Sequence, residues 1–202
     1  MVGVKQAALT IGVLALQGDV AEHEAILKRL GARTRAVTLP RHLDGLDGLI
    51  IPGGESTAIA KLIERYGLRA AIGDAVGRGL AVWGTCAGMI LMATTVDDDA
   101  GLKPLGLLDV GVRRNSYGRQ LDSFQADLRI DGLTGGDFRA VFIRAPAFTR
   151  VGDGARVIAK LGDGAPAAVV SGNRLATAFH PELTDDPRAH RLFLQLSGGE
   201  NN

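Results

Sequence analysis

The chain carries one cysteine, and the residues around it are those a thiol nucleophile needs. Cys86 lies in Gly84-Thr85-Cys86-Ala87-Gly88, directly behind the apolar run Leu80-Ala81-Val82-Trp83. A reactive residue flanked by glycines between a buried strand and a helix is the nucleophile-elbow pattern, here with sulfur in place of a hydroxyl. The glycines answer a steric need, because a Cβ on either side would crowd the strand-to-helix crossing. At the start of a helix, the positive end of the dipole favours thiolate over thiol. Taken alone, the elbow is also compatible with a buried structural cysteine.

A cysteine nucleophile needs a base that takes its proton and returns it to the leaving group. Of the four histidines, His23, His42, His180 and His190, only His180 follows an apolar strand, Leu175 to Phe179, and opens a His180-Pro181-Glu182 run. In an extended backbone, residues two apart share a face, so Glu182 is expected beside the imidazole, fixing its tautomer. A strand-end histidine making a structural hydrogen bond is the alternative for His180. His23, between two glutamates, is expected to be solvated or to serve docking, and His42 and His190 to be surface groups. No histidine pair has metal-ligand spacing, so no metal is expected.

Acyl transfer also requires donors aimed at the developing oxyanion. Pro52-Gly53-Gly54-Glu55-Ser56 follows an apolar strand and precedes a helix, and its glycines leave backbone N–H groups free to face a bound carbonyl. The same residues also make a simple strand-to-helix turn, with Ser56 as N-cap. All three pieces fall after strand C-termini, where ligands bind in open α/β sheets.

The elements that position these residues are legible as apolar runs alternating with helical patterns. Strands are expected at 9–16, 33–39, 48–51 and 80–83, and helices at 20–30, 56–66, 68–76 and 89–93. The first helix is expected to bury Ala21, Ala25, Ile26 and Leu30. Beyond Asp97, segments 109–114, 120–130, 139–143, 155–161, 165–170 and 174–179 read as strands in hairpin-like succession. A helix over 187–196 closes the chain. The expected architecture is a three-layer α/β/α fold with a mixed, mostly parallel sheet and a small antiparallel extension. With 202 residues and no Pro/Ser linker, the whole chain is expected to be one domain.

Bulk properties narrow the function. The net charge of +1 and the scattered basic residues give no stripe for nucleic acid. The apolar run 7–16 is too short to span a bilayer and lacks a signal-peptide cleavage pattern. A single cysteine excludes an internal disulfide and suits a reducing compartment, so a cytoplasmic location is expected.

Together, Gly84 to Gly88, Pro52 to Thr57 and His180-Pro181-Glu182 resemble the class I (triad) glutamine amidotransferases. Four further stretches narrow this to the glutaminase subunits of pyridoxal 5'-phosphate synthases: 12–18, Arg114-Asn115-Ser116-Tyr117-Gly118-Arg119-Gln120, Asp122-Ser123-Phe124 and Phe142-Ile143-Arg144-Ala145-Pro146. The similarity spans residues 11 to 195. It implies hydrolysis of L-glutamine to glutamate and ammonia, without a cofactor, through Cys86, His180 and Glu182. It further implies that Gly54, Glu55 and Ser56 line the glutamine site and that a Gly53–Gly54 backbone N–H completes the oxyanion hole. Arg114 and the Ile143-Arg144 pair would hold the polar head of the substrate, an arginine fork being suited to a carboxylate; read without the resemblance, both arginines suit surface ion pairs.

The implied partner is a ring-forming synthase subunit that receives the ammonia, with Gln17 and the helix after it as candidates for sensing its docking. Two alternatives stand beside this reading. One is a glutaminase serving imidazole glycerol phosphate or purine synthesis, for which 114–120 and 143–146 are not expected. The other is a non-catalytic binding or stress protein on a related fold, which would need neither His180 nor Glu182.

Overall fold

The computed structural model describes residues 8–97, 101–114 and 123–198. Its first half alternates strand and helix: β1 (Thr10–Leu14), α1 (Val20–Arg29), β2 (Arg33–Val37), β3 (Gly48–Ile51), α2 (Ser56–Arg65), α3 (Leu68–Gly77), β4 (Ala81–Thr85) and α4 (Ala87–Met92). The second half is mostly strands: β5 (Thr95–Asp97), β6 (Val110–Arg113), β7 (Ser123–Leu128), β8 (Phe138–Ile143), β9 (Ala147–Val151), β10 (Arg156–Lys160), β11 (Pro166–Ser171) and β12 (Arg174–Thr177). Helix α5 (Arg188–Gly198) follows.

Seven strands form the central sheet in the order β10-β11-β12-β4-β3-β1-β2. The five from β12 to β2 run parallel, and β11 and β10 add an antiparallel edge. Parallel strands need crossovers, and these bury both faces of the sheet. Helices α1 and α5 cover one face, where His23 meets His190, while α2, α3 and α4 pack together on the other. The mixed, mostly parallel sheet is as the sequence predicts. Strands β3 and β4 are buried throughout, as befits central positions in such a sheet.

The two smaller sheets, β5-β6-β9 and β7-β8, were foreshadowed only in part. Strand β9 has no counterpart in the sequence reading because only Phe148 among its five residues is buried, leaving no alternation to detect. The β7–β8 ribbon has a direct role in the site. Phe142 stacks on Phe124 at 4.5 Å and meets Phe179 edge-on at 5.6 Å. The His180 amide donates to the Val141 carbonyl at 2.8 Å. Those contacts fix the end of β8, Ile143 and Arg144, beside the segment that carries His180.

Helix α1 corrects the expected face. Its buried residues are His23, Ile26 and Leu27, while Ala21 and Ala25 are exposed. A histidine within an apolar stripe reads as polar, which shifts the apparent face by part of a turn. Strand β4 also runs on to Thr85, past the expected end at Trp83, because Gly84 and Thr85 continue the ladder to Ala176 and Thr177 of β12.

Candidate active site

Cys86 sits between β4 and α4 with φ 47° and ψ −105°, a strained conformation for a residue with a Cβ. Its amide donates to the Thr177 carbonyl at 2.9 Å, which locks the turn onto β12. The glycines perform the expected steric task. A Cβ on Gly84 would stand 2.5 Å from the Gly88 carbonyl carbon, and one on Gly88 would strike the Ile51 carbonyl oxygen of β3. Helix α4 can therefore cross tightly over β4 and β3 only because both positions lack side chains. The sulfur lies 3.8 Å from the Ile143 carbonyl oxygen.

His180 approaches from the end of β12. Its Nδ1 lies 2.7 Å from Glu182 Oε1, with the carboxylate fully buried. The contact is the one expected, but its cause differs. Glu182 lies in a 3-10 turn, Pro181–Leu183, so the chain curls the carboxylate back under the ring instead of projecting it from an extended strand. Burial works against the imidazolium at His180; hydrogen bonds to Cys86 and Glu182 and their negative charges outweigh it and raise the pKa to about 10. Glu182 itself is shifted upward, chiefly by burial, against the opposing pull of His180. The arrangement keeps the His180 imidazole charged, with a buried carboxylate behind the ring.

The Gly53-Gly54 turn closes the other side. A Cβ on Gly53 would collide with His180 Cε1, so this glycine makes the seat for the imidazole. The N-cap of α2 is Glu55, not Ser56: its carboxylate accepts from the amides of Thr57 at 3.0 Å and Ala58 at 2.6 Å. A glutamate reaches the N2 and N3 amides from this position, leaving Ser56 buried in the first turn. Arg114 Nη2 stands 3.7 Å from Glu55 Oε1.

These pieces enclose a cleft of about 370 Å³ at the carboxyl ends of the parallel strands. Gly54, Glu55, Ser56, Cys86, Arg114, Ile143, Arg144 and His180 all border it, while Gly53 and Glu182 support the His180 ring from behind. Among the described residues, only Cys86 and Arg144 combine a side chain with left-handed φ, 47° and 42°, and both border this cleft. Residues 115–120 and Asp122, which narrowed the resemblance, lie outside the described residues.

Several contacts escaped the sequence reading. Gln17 Oε1 accepts from the Glu55 amide at 2.8 Å, tying the loop after β1 to the glycine turn. Asp19 Oδ2 reaches within 3.3 Å of His180 Nδ1, close enough for Asp19, His180 and Glu182 to form a cluster of potential cation ligands, although Nδ1 is already engaged by Glu182. His23 and His190 are corrections. Both are fully buried, paired at 2.9 Å between Nδ1 of His23 and Nε2 of His190, and wedged against Trp83. Charged neighbours in sequence concealed this, because those neighbours project outward from the helices while the imidazoles project inward. His42 is half-buried, its Nδ1 accepting from the Thr38 amide at 3.2 Å. No described helix is long and apolar enough to cross a membrane.

Comparison with known proteins places this geometry in a family. The model of the SNO glutamine amidotransferase family matches residues 13–197. The chain is 51% identical over 189 residues to pyridoxal 5'-phosphate synthase subunit PdxT of Roseiflexus castenholzii, covering 93% of this chain and 100% of that one. It is 52% identical to a protein of the same name from Thermus thermophilus, covering 93% and 97%. A crystal structure described as a glutamine amidotransferase superposes with a TM-score of 0.88 at 51% identity, covering 93% of this chain and 98% of that one. The PurLQS structure from Thermotoga maritima shares the fold at a TM-score of 0.72 and 18% identity, covering 94% and 99%. With a thiol elbow, an imidazole and a buried carboxylate converging on one cleft, and this similarity along nearly its full length, the chain belongs to the SNO glutamine amidotransferase family.

Proposed function

We propose that Cys86, His180 and Glu182 form a thiol triad that hydrolyses L-glutamine and supplies the ammonia to a pyridoxal 5'-phosphate synthase partner. The observation that carries this reading is the convergence of Cys86 and His180 on one cleft, with a buried carboxylate 2.7 Å from His180 Nδ1. The thiolate attacks the side-chain amide carbon of glutamine, forming a tetrahedral oxyanion that a Gly53–Gly54 backbone N–H stabilises once it faces inward. His180 gives its proton to the departing nitrogen, and ammonia leaves a glutamyl thioester on Cys86. Water then attacks the thioester while His180 takes its proton; the C–S bond breaks and glutamate is released. Glu182 keeps the imidazole in the tautomer that serves both steps.

Arg114 and Arg144 hold the carboxylate end of the substrate, Ile143 contributes its backbone, and Glu55 and Ser56 line the wall. The kinship with proteins named as pyridoxal 5'-phosphate synthase subunits supports both glutamine as substrate and a synthase subunit as partner. In this reading residues 1–202 act as one cytoplasmic glutaminase domain within a hetero-oligomer. Docking makes the glycine turn competent, and Gln17, bonded to Glu55, lies where docking can be sensed. The test is glutamate release by the chain alone and with a cognate synthase subunit, followed by pyridoxal phosphate formation. A rise in glutamate release on adding the synthase is the expected result. Equal, substantial turnover with and without it overturns the coupling, and no turnover in either state overturns the assignment.

A further inference from the structure

We propose that His23 is a positioning residue for Glu182, with His190 as its support; this rests on the triad reading above. Only Oε1 of Glu182 is engaged by His180. The other oxygen, Oε2, is buried without an aligned hydrogen-bond partner, and His23 Nε2 stands 3.4 Å from it. Glu182 and His23 are both fully enclosed, so no bulk water competes for that oxygen.

The tautomer follows from the neighbours. A carboxylate only accepts, and His23 Nε2 faces Glu182 Oε2 and the Thr85 hydroxyl, each at 3.4 Å. A proton on His23 Nε2 therefore sets a positive N–H edge beside the carboxylate, a favourable electrostatic contact without hydrogen-bond alignment, and leaves Nδ1 to accept from His190 Nε2, 2.9 Å away. His190 Nδ1 is then a bare lone pair, less costly to leave unpaired when buried than an N–H, and it is the atom found without a partner. The opposite tautomer would set a ring lone pair against the carboxylate. Burial, then the charges of His190 and His180, hold His23 well below its ordinary pKa; burial, then Arg29, bring His190 to about 3. Both rings are thus neutral donors in series. They run from α5 through α1 to the 3-10 turn, ending at the carboxylate that orients His180.

The experiment compares His23→Leu, His23→Asn and His23→Gln, assayed with the synthase partner. A glutamine amide nitrogen reaches where Nε2 lies, whereas an asparagine amide stops near Nδ1. His23→Leu and His23→Asn should lose about tenfold or more in kcat with little change in KM, and His23→Gln should recover most of that loss. A second readout uses the single cysteine: the pH dependence of Cys86 alkylation by iodoacetamide, at a temperature where circular dichroism shows each variant folded. The charged and titratable groups facing this pair are Asp19, Glu55, Arg114, Arg144 and Glu182, with His23 behind Glu182. The alkylation midpoint should move toward alkaline pH in His23→Leu and return in His23→Gln.

His180→Ala calibrates the outcome. If it leaves the alkylation profile of Cys86 unchanged, the triad reading itself fails. If it shifts that profile while all three His23 variants match the wild type in kcat and midpoint, only the role of His23 is overturned. A His23→Leu chain that does not fold leaves the Gln–Asn comparison to decide: equal activity of those two overturns the proposal.

Discussion

His180 and the His23–His190 pair occupy adjoining parts of the molecule, the cleft and the packed layer behind it, and hold the same side chain in opposite charge states. His180 borders the cleft with the Cys86 sulfur on one side and Glu182 on the other; although burial pulls its pKa down, those partners raise it to about 10. His23 and His190 sit against Trp83 between α1, β4 and α5, where burial dominates and drives both down, His190 to about 3. Burial alone therefore does not set the outcome. An imidazole given negative partners becomes a proton carrier, and one given other imidazoles becomes a fixed dipole.

The largest effect comes from removing the partner that most raises His180. Cys86→Ala should abolish glutamine hydrolysis, by about four orders of magnitude or more, since a triad acts as a unit. The same change should lower the His180 pKa, read from its imidazole resonances, while those of His23 and His190 move much less. Gly53→Ala should come next. Its Cβ would collide with His180 Cε1 and stand 2.9 Å from Nδ1, displacing the ring. A misplacement of this kind is worth about a hundredfold in kcat. Because the buried pair lies behind Glu182, its resonances should move much less than that of His180; a shift there equal to that of His180 would dissolve the distinction between the two regions.

Stability against pH offers a third test with opposite signs. His190 has a depressed pKa, so its contribution is complete above 6.5 and is lost as pH falls toward about 3. His180 has a raised pKa, so its contribution is complete below 6.5 and is lost as pH rises through about 10. Thermal unfolding midpoints should therefore fall less steeply on the acid side in His190→Gln, and less steeply on the alkaline side in Cys86→Ala. The acid-side difference has a ceiling of about 5 kcal/mol. Parallel acid-side slopes in wild type and His190→Gln would contradict the buried, neutral state of that ring.

The contrast between these regions also explains what the sequence revealed. The elbow, the glycine turn and the His180-Pro181-Glu182 run are local signals, because each is fixed by neighbours within a few residues and each announces a backbone shape. The parallel core was legible for the same reason, its strands β3 and β4 being unbroken apolar runs. The His23–His190 pair spans 167 positions in the chain and depends on two helices meeting over one face of the sheet. Neither histidine carries a local mark of that meeting. The capping role of Glu55 was similarly hidden, since a glutamate before a serine reads as a wall residue followed by a cap. The 3-10 turn at Pro181 gave the predicted contact by another route, which shows that spacing alone did not determine the geometry.

The smallest predicted effect is the most discriminating for the buried side. Thr85 is fully buried on β4 with its hydroxyl 3.4 Å from His23 Nε2, at the outer limit of a hydrogen bond. If Nε2 carries the proton and sets it beside Glu182, the hydroxyl is a secondary acceptor that contributes little. Thr85→Val, nearly the same shape, should then cost about 1 kcal/mol or less in denaturant unfolding and leave kcat within about threefold. If Nε2 carries a lone pair instead, Thr85 is its donor, and removing the hydroxyl strands a buried nitrogen beside a carboxylate. The loss in kcat would then match that of His23→Leu. The ratio of these two variants therefore reads the tautomer of His23, and with it whether the layer behind the cleft supports Glu182 or merely packs against it.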